Sequence, residues 1–270
     1  MPKAKINGIE MNYELDGNGD ETIVILNGIM MSTASWIDFV PVYTDKNDYQ
    51  LLRVDFRDQG QSDKYEEDYD VSIHVEDLKA LLDYLDINNV HLVGISYGAM
   101  VAILFEMEYS EMVNTLILSN TEAEVSKYLQ AVSTIWENAA EMNDPIKFFE
   151  FSMPFIYSDF FYNNNFEWMQ ERKEALSKVL TKEWFDSLIR LSKSSKYFDV
   201  SDKLTEVSSP TLLIGGSRDQ LTPVYEMEKM QDEIPEAKML IIKDAGHASC
   251  YEKMDEFNTA VLGFIAVNGY

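Results

Sequence analysis

The chain has 270 residues, of which 46% are hydrophobic and 26% charged, a balance typical of globular proteins and not of disordered ones. Its formal net charge of −25 argues against nucleic acid and anionic membranes as partners, because phosphate recognition requires clustered Lys and Arg. The single cysteine, Cys250, can form neither an intramolecular disulfide nor a cysteine metal cluster, and we expect it to fill buried space. Without a secretory signal or a membrane-length apolar run, the sequence predicts a cytoplasmic protein.

The first residues favour a β-hairpin, followed by a series of buried strands. Apolar residues alternate from Ala4 to Asp16 around the turn pair Asn7-Gly8. Short, continuously apolar runs then recur, mostly separated by segments long enough for a helix, which predicts a mostly parallel sheet. These runs are Ile23 to Leu26, Leu51 to Val54, Val90 to Val93, Leu116 to Leu118, Leu212 to Ile214 and Met239 to Ile242.

Two helical regions are predicted around these strands. Apolar residues from Val71 to Leu85 keep the spacing of one helical face and predict a helix that covers the sheet. Residues 121–206 contain helical patterns, many aromatic residues and no convincing strand, so we interpret them as an inserted helical cap on a core of residues 1–120 and 207–270. Some cap aromatics, among them Trp136 and Trp168, are expected to line a substrate pocket.

A Gly-x-Ser-x-Gly motif directly follows one predicted strand and precedes a predicted helix. In Gly94-Ile95-Ser96-Tyr97-Gly98, a sharp turn would require small residues at positions 94 and 98, which the glycines provide, and would project Ser96 above the sheet edge. The pattern alone is also compatible with a tight turn that contains an ordinary serine. Its strand, turn and helix setting favours a catalytic nucleophile.

A serine nucleophile needs a general base and an orienting carboxylate. Of the three histidines, His74 and His91 fall within a predicted helix and strand, whereas His247 follows the last predicted strand in a loop. Asp219 follows the strand Leu212 to Ile214, so the chain order is Ser, Asp, His. The alternatives are that His247 is a hydrogen-bonded loop residue and that Asp219 only helps to start the next helix.

These segments resemble the α/β-hydrolase superfamily, specifically its single-domain esterase and lactonase branch with a helical cap. Residues 55–62, Asp-Phe-Arg-Asp-Gln-Gly-Gln-Ser, are similar to the Asp-x-Arg-Gly-x-Gly-x-Ser loop of that family, except that Asp58 replaces a glycine. The resemblance implies an α/β fold with a mostly parallel eight-stranded sheet flanked by helices. It also implies an oxyanion hole formed by the backbone N–H groups of Ile29 and Tyr97.

The residues before this oxyanion position depart from the common His-Gly of the family. Asn27-Gly28-Ile29-Met30-Met31 stands there instead, and we expect Asn27 and Met30 to contribute to substrate binding. No metal-ligand spacing and no phosphate-binding glycine loop occurs, so neither a metal nor a cofactor is expected.

The resulting hypothesis is hydrolysis of a carboxylic ester or lactone of a mainly apolar small molecule by a monomer or homodimer. Ser96 would attack the carbonyl, His247 would transfer the proton and Asp219 would orient the imidazole. Two alternatives use the same residues: an acyltransferase, in which an alcohol or amine replaces water, and a ligand receptor with slow turnover.

Overall fold

The computed structural model describes residues 2–45 and 49–269. Its strands are β1 (Lys3–Ile6), β2 (Ile9–Asp16), β3 (Thr22–Leu26), β4 (Gln50–Val54), β5 (Val90–Ile95), β6 (Val113–Ser119), β7 (Thr211–Gly216) and β8 (Lys238–Ile242). Its α-helices are α1 (Val40–Tyr43), α2 (Ile73–Tyr84), α3 (Tyr97–Glu108), α4 (Lys127–Glu141), α5 (Pro145–Ile156), α6 (Asp159–Asn164), α7 (Phe166–Ser177), α8 (Lys182–Ser194), α9 (Val224–Glu233), α10 (Ser249–Glu252) and α11 (Met254–Asn268). Short 3-10 helices span Thr33–Trp36, Ser110–Met112 and Ser201–Glu206.

One sheet organises the molecule. Within the described residues it has eight strands in the order β1-β2-β4-β3-β5-β6-β7-β8. β2 pairs antiparallel with β1 and β4, and all the other neighbouring strands pair in parallel. Parallel neighbours need long crossover connections, and helices provide most of them here. The predicted α/β fold with a mostly parallel, eight-stranded sheet is therefore confirmed.

The opening hairpin has a two-residue turn, as its sequence predicts. Ile6 pairs with Ile9, so only Asn7 and Gly8 lie between the strands. Both turn residues have positive φ, 45° and 84°, which Asn and Gly adopt most readily. This short turn sets the register of β1 against β2.

The core lies on both faces of the sheet because the side chains of each strand alternate between faces. In β3, Val24 and Leu26 pack in the cluster that includes apolar residues of α2, α3 and α9. Ile23 and Ile25 point to the opposite face and pack in the cluster that includes Phe257 and other residues of α11. Burying one such side chain contributes roughly 1.5–3 kcal/mol, so these two clusters dominate the stability of the fold.

Between β6 and β7 lies a segment that we call the helical insertion, which contains α4 to α8. Its two ends run side by side: the backbone N–H of Val125 donates to Phe198 O, and that of Val200 donates to Ala123 O. The insertion therefore leaves and re-enters the sheet region at one place. Its residues Val132, Trp136, Phe148, Phe185 and Leu188 form a separate apolar cluster with Leu221.

The carboxyl ends of parallel strands meet at one sheet edge, where ligands bind in open α/β sheets. Ser96 follows β5, Asn120 follows β6, and the loops after β7 and β8 carry Asp219 and His247. Polar groups from four successive strands are thereby collected beneath the helical insertion. Within the described part of the chain, no helix is both long and apolar enough to cross a bilayer.

Candidate active site

Ser96 occupies a strained turn between β5 and α3. Its φ and ψ angles are 53° and −112°, a combination that non-glycine residues rarely adopt. Glycine is required on both sides of the turn because the backbone leaves no room there for a side chain. A Cβ atom at Gly94 would lie 2.5 Å from Gly98 O, and one at Gly98 would lie 2.3 Å from Leu26 O. The chain can therefore make this turn only with glycine at both positions, and the turn holds Ser96 at the sheet edge.

His247 faces Ser96 directly. Its Nε2 atom lies 2.9 Å from Ser96 Oγ, a normal hydrogen-bond distance. The residue stands in the loop between β8 and α10, and its side chain is only 11% exposed. A neutral imidazole in this position can accept the serine proton, which is the requirement for activating a hydroxyl nucleophile.

Asp219 lies on the opposite side of the imidazole. Its Oδ2 atom is 2.9 Å from His247 Nδ1, and its carboxylate has no solvent exposure. Oδ1 accepts hydrogen bonds from the backbone N–H groups of Leu221 and Thr222, and Oδ2 accepts one from the Thr222 hydroxyl. Burial alone would raise the pKa of Asp219, but His247, the side chain of Asn120 and the backbone N–H of Thr222 lower it below its ordinary value. The group is thus held as a carboxylate, which can fix the tautomer of His247.

Asn120 belongs to the same network but was missed by the sequence reasoning. Its Nδ2 donates to Asp219 Oδ2 over 2.9 Å, and its Oδ1 accepts hydrogen bonds from Ser119 and Ser249. The residue is fully buried and has a positive φ of 50°. Its position directly after an apolar strand, at the edge where Ser96 was expected, is the signal that could have identified it.

Of the two predicted oxyanion residues, Tyr97 directly follows Ser96 in the chain and Ile29 lies at the cavity beside Ser96. Tyr97 is the first residue of α3, where a backbone N–H has no intrahelical acceptor. Ile29 lines the same cavity as Ser96. The backbone around Ile29 is supported by Gln59, whose Nε2 donates to Gly28 O over 3.0 Å. This arrangement is compatible with two N–H groups aimed at one developing oxyanion.

The structure corrects the expectation that Asn27 binds substrate. Asn27 is fully buried, and its Nδ2 donates to Val54 O and to Gln59 Oε1. Its Oδ1 accepts a 2.7 Å hydrogen bond from Trp36 Nε1. All the hydrogen-bonding atoms of the amide are therefore engaged beneath the loop. Asn27 supports the backbone at Gly28 and Ile29 and does not line the cavity.

An apolar cavity of about 140 Å³ opens at Ser96 and His247, between the sheet edge and the helical insertion. Met30 and Trp136, two of the residues predicted to contact substrate, line it. Trp168 does not: it is 38% exposed and packs edge-on against Tyr157 and Phe161, one layer behind the wall. The expectation for Trp168 is therefore corrected. The other apolar wall residues include Ile29, Leu129, Phe148, Met153, Trp184 and Leu221.

The other two histidines lie away from this cavity. His74 is fully buried on α2, where Nε2 lies 2.9 Å from the Tyr97 hydroxyl and the ring stacks on Phe56. Burial lowers its pKa to about 3, so it stays neutral at physiological pH. His91 is buried within β5, with Nδ1 3.0 Å from Thr115 Oγ1. Both residues serve packing, and His247 is the histidine placed next to Ser96.

Asp58, which replaces a glycine of the resembled motif, joins the sheet side to the helical insertion. It has a positive φ of 67° and a carboxylate with no solvent exposure. Arg190 on α8 pairs with it over 2.6 Å, and the hydroxyls of Ser187 and Tyr69 also donate to it. The carboxylate of Asp58 also raises the pKa of Arg190, chiefly by its hydrogen bond. The strained backbone at Asp58 is thus accompanied by a buried contact to α8 that glycine could not make.

Comparisons with known proteins place these features in a wider group. A family model described as the alpha/beta hydrolase fold matches residues 21–254. The structure of MGS-M2, an alpha/beta hydrolase enzyme from a Medee basin deep-sea metagenome library, is 39% identical with a TM-score of 0.95, covering 98% of this chain and 97% of that one. The structure of an N-acyl homoserine lactone degrading enzyme is 25% identical with a TM-score of 0.80, covering 97% and 100%. A proline iminopeptidase from Lactobacillus helveticus is 26% identical over 94% of both chains.

Proposed function

Because the chain belongs to the family with the alpha/beta hydrolase fold, we propose that it is a serine hydrolase that cleaves a carboxylic ester or lactone through an acyl-enzyme at Ser96. The observation that supports this most directly is the hydrogen-bonded series Ser96, His247 and Asp219, with 2.9 Å at each step. The series combines a nucleophile, a base and an orienting carboxylate in the required order.

Each group has one role in the proposed reaction. Ser96 Oγ attacks the carbonyl carbon while His247 Nε2 takes its proton, and the carbonyl oxygen becomes an oxyanion that accepts hydrogen bonds from the backbone N–H groups of Ile29 and Tyr97. The leaving alcohol receives the proton from His247 as the carbon–oxygen bond breaks. Water then attacks the acyl-enzyme, again with His247 as base, and Ser96 recovers its proton.

The shape of the cavity favours a small, mainly apolar acyl group. A dry cavity of roughly 150 Å³ is large enough to bind benzene, so about 140 Å³ accommodates one ring or a short chain. Its wall is formed largely by aliphatic and aromatic side chains of the helical insertion and of the loop at Met30. A larger substrate would have to extend beyond this cavity towards solvent.

The similar proteins include a lactone-degrading enzyme and a peptidase at nearly equal identity, so the choice between esters and amides needs a direct test. The 25% identical relative degrades N-acyl homoserine lactones, whereas the proline iminopeptidase carries a peptidase name at 26% identity. An activity panel should therefore contain p-nitrophenyl esters of increasing chain length, lactones, thioesters and proline p-nitroanilide. Cleavage of the anilide in preference to every ester and lactone would contradict the proposed substrate class.

The nucleophile is tested by a Ser96→Ala variant. We expect the loss of nearly all ester cleavage, since loss of a triad nucleophile costs up to about a million-fold in rate. Ser152→Ala is the control, because Ser152 is a fully buried serine that donates to Phe148 O within its own helix and takes no part in the series Ser96, His247 and Asp219. A fluorophosphonate probe should label the wild-type protein and Ser152→Ala but not Ser96→Ala. Unchanged ester cleavage by Ser96→Ala would contradict the proposal.

Product analysis separates hydrolysis from acyl transfer. The enzyme is incubated with one p-nitrophenyl ester, with and without an added alcohol, and the acyl products are identified. Free acid as the main product under both conditions agrees with hydrolysis. A new ester as the main product at low alcohol concentration would identify an acyltransferase instead.

A further inference from the structure

Arg172 is the one lysine or arginine among the described residues that lines the largely apolar cavity. Arg172, on α7 of the helical insertion, belongs to the same wall as Met153, Leu176 and Tyr251, and the cavity opens at Ser96 and His247. Apolar cavities rarely hold a charge without a partner, because taking a charge out of water costs free energy. The position of Arg172 therefore needs an explanation beyond packing.

Arg172 differs from the other arginines in having no carboxylate partner among the residues that the structure describes. The sequence contains five arginines. Four of them form ion pairs with carboxylates: Arg53 with Glu14 and Asp16, Arg57 with Asp77, Arg190 with Asp58, and Arg218 with Asp159 and Asp244. Among the described residues, Arg172 forms no ion pair, and its Nε atom is buried without a hydrogen-bond partner.

Two aromatic rings hold the guanidinium in place. Its central carbon lies 5.3 Å from the ring centroid of Trp168 and 5.6 Å from that of Tyr251. The Tyr251 hydroxyl donates to Ser35 O over 2.7 Å, and Trp168 packs against Tyr157 and Phe161. Cation–π contacts of this kind orient a guanidinium without occupying its N–H groups, and the guanidinium of Arg172 also hydrogen-bonds to Tyr157.

Tyr157, which hydrogen-bonds to Arg172, does not neutralise this charge. Burial raises the pKa of Tyr157 to about 12, and the positive charge of Arg172 opposes that rise. Tyr157 is thus a neutral phenol at physiological pH.

We infer that Arg172 binds a carboxylate on the substrate, remote from the ester or lactone carbonyl that Ser96 attacks. The preferred substrates are then half-esters of dicarboxylic acids, or lactones that bear a carboxylate, with a short apolar spacer between the two groups. This inference rests on the proposed function of Ser96. A planar guanidinium matches a carboxylate with two parallel N–H···O bonds, and such charge-assisted bonds are stronger than neutral ones.

The net charge of −25 does not prevent this binding. Surface charges are screened over about 8 Å at physiological ionic strength, whereas a contact inside a cavity is screened much less. The acidic surface slows the approach of an anion, and the unpaired cation acts once the anion has entered the cavity.

The test compares anionic and neutral esters of equal length. Monoethyl esters of dicarboxylic acids with four to eight carbons, and ethyl esters of the corresponding monocarboxylic acids, are hydrolysed by the wild type and by Arg172→Gln and Arg172→Lys. We expect Arg172→Gln to lower kcat/KM for the best anionic ester by roughly ten- to a hundredfold and to change that for the neutral ester less than about threefold. Arg172→Lys keeps the charge but lacks the planar guanidinium, so its kcat/KM for the anionic ester should fall less than that of Arg172→Gln.

Lys178→Gln provides the matched control, because Lys178 is exposed at the end of the same helix and its substitution removes the same positive charge. Its kcat/KM for both esters should equal that of the wild type. If Arg172→Gln lowers kcat/KM equally for anionic and neutral esters, Arg172 only supports the wall of the cavity, and the inference is overturned. So would a wild-type enzyme that prefers the neutral ester at every chain length.

Binding without turnover separates the inference from the proposed function. Glutarate and adipate are titrated calorimetrically into Ser96→Ala and into the double variant with Arg172→Gln. Binding to the first that weakens at least tenfold in the second supports the carboxylate site even if the wild type cleaves no ester, in which case the proposed function alone fails. Equal binding, or none to either protein, overturns the carboxylate site while leaving ester cleavage by Ser96 unaffected.

Discussion

The side-chain amide of Asn120 donates a 2.9 Å hydrogen bond to Asp219 Oδ2, the oxygen that faces His247. Asn120 is itself held by the hydroxyls of Ser119 and Ser249, which both donate to its Oδ1. The end of β6 thereby contributes to the orientation of a carboxylate that follows β7. Asn120 touches no reacting atom in this arrangement and acts through Asp219, as a positioning residue.

We predict that Asn120→Ala lowers kcat about tenfold with little change in KM, since a hydrogen bond to a charged group contributes roughly 1.5–3 kcal/mol. Asn258→Ala is the control, because Asn258 is also a buried amide and accepts a hydrogen bond from Tyr43 within the core, away from the cavity. Both variants should lose stability in urea unfolding, but only Asn120→Ala should lose turnover. Equal turnover in both would contradict the positioning role.

The turn at Ser96 leads to a prediction about glycine. A Cβ atom at Gly98 would meet the backbone carbonyl oxygen of Leu26 at 2.3 Å, and that strand leads into the loop at Ile29. Gly98→Ala should therefore displace this loop, abolish activity and destabilise the protein by about 2–3 kcal/mol.

Gly263→Ala is the opposite case within the same chain. Gly263 lies inside α11 with nothing within 4 Å of an added Cβ, so alanine should stabilise the protein by about 0.5–1 kcal/mol without changing activity. Thermal unfolding and ester hydrolysis of both variants give the comparison. A Gly98→Ala enzyme with normal activity would show that the turn tolerates a side chain.

The contact between Asp58 and Arg190 predicts a large cost for removing one partner. Arg190→Met leaves the buried Asp58 carboxylate without its cation and should destabilise the protein by about 3 kcal/mol. Adding Asp58→Gly should recover much of this loss, because the carboxylate is removed and glycine suits the positive φ of 67°.

An exposed ion pair serves as the reference for this double-variant cycle. Lys182 and Asp186 pair on the outer surface of α8, so Lys182→Met should change stability by less than about 0.5 kcal/mol. Urea unfolding of the wild type, Arg190→Met, Asp58→Gly and the double variant measures the coupling between positions 58 and 190. If the two substitutions are simply additive, the buried pair does not join α8 to the sheet side as described.

Glu122 predicts a pH dependence of stability. It is 1% exposed, and burial, reinforced by the nearby charge of Glu226 and opposed by His247, raises its pKa to about 7 from the ordinary 4.5. The carboxyl group of Glu122 therefore binds its proton more tightly in the folded protein than in the unfolded chain. The contribution of Glu122 to the free energy of unfolding is complete below about pH 4.5 and is lost as the pH rises through about 7.

Glu122→Gln removes this titration. Compared with the wild type, the variant should have similar stability at pH 4.5 but be more stable at pH 8, by on the order of 2–3 kcal/mol. The exposed Glu124 is the control: Glu124→Gln should differ from the wild type by the same small amount at both pH values. Urea midpoints at the two pH values measure this, and a difference for Glu122→Gln that does not grow with pH would contradict the prediction.

The sequence by itself determined the strand order along the chain, the opening hairpin and the place of Ser96. Those features depend on local chemistry: β-branched apolar runs form buried strands, Asn7-Gly8 adopts positive φ, and the small residues Gly94 and Gly98 permit a sharp turn. The positions of Asp219 and His247 after strands also followed, since parallel strands end at one edge.

Only the tertiary structure decided which side chains face the cavity. Hydrogen bonds with Trp36 and Gln59 hold the side chain of Asn27 beneath the loop and away from the cavity. The packing of α7 places Arg172 in the wall of the cavity, while Trp168 lies behind that wall. A helical pattern shows which face of a helix is apolar but not which neighbour covers it, because that depends on contacts between segments far apart in the chain. The residues that line the cavity at Ser96 are fixed by those contacts, whereas the turn at Ser96 itself is fixed by its neighbours in sequence.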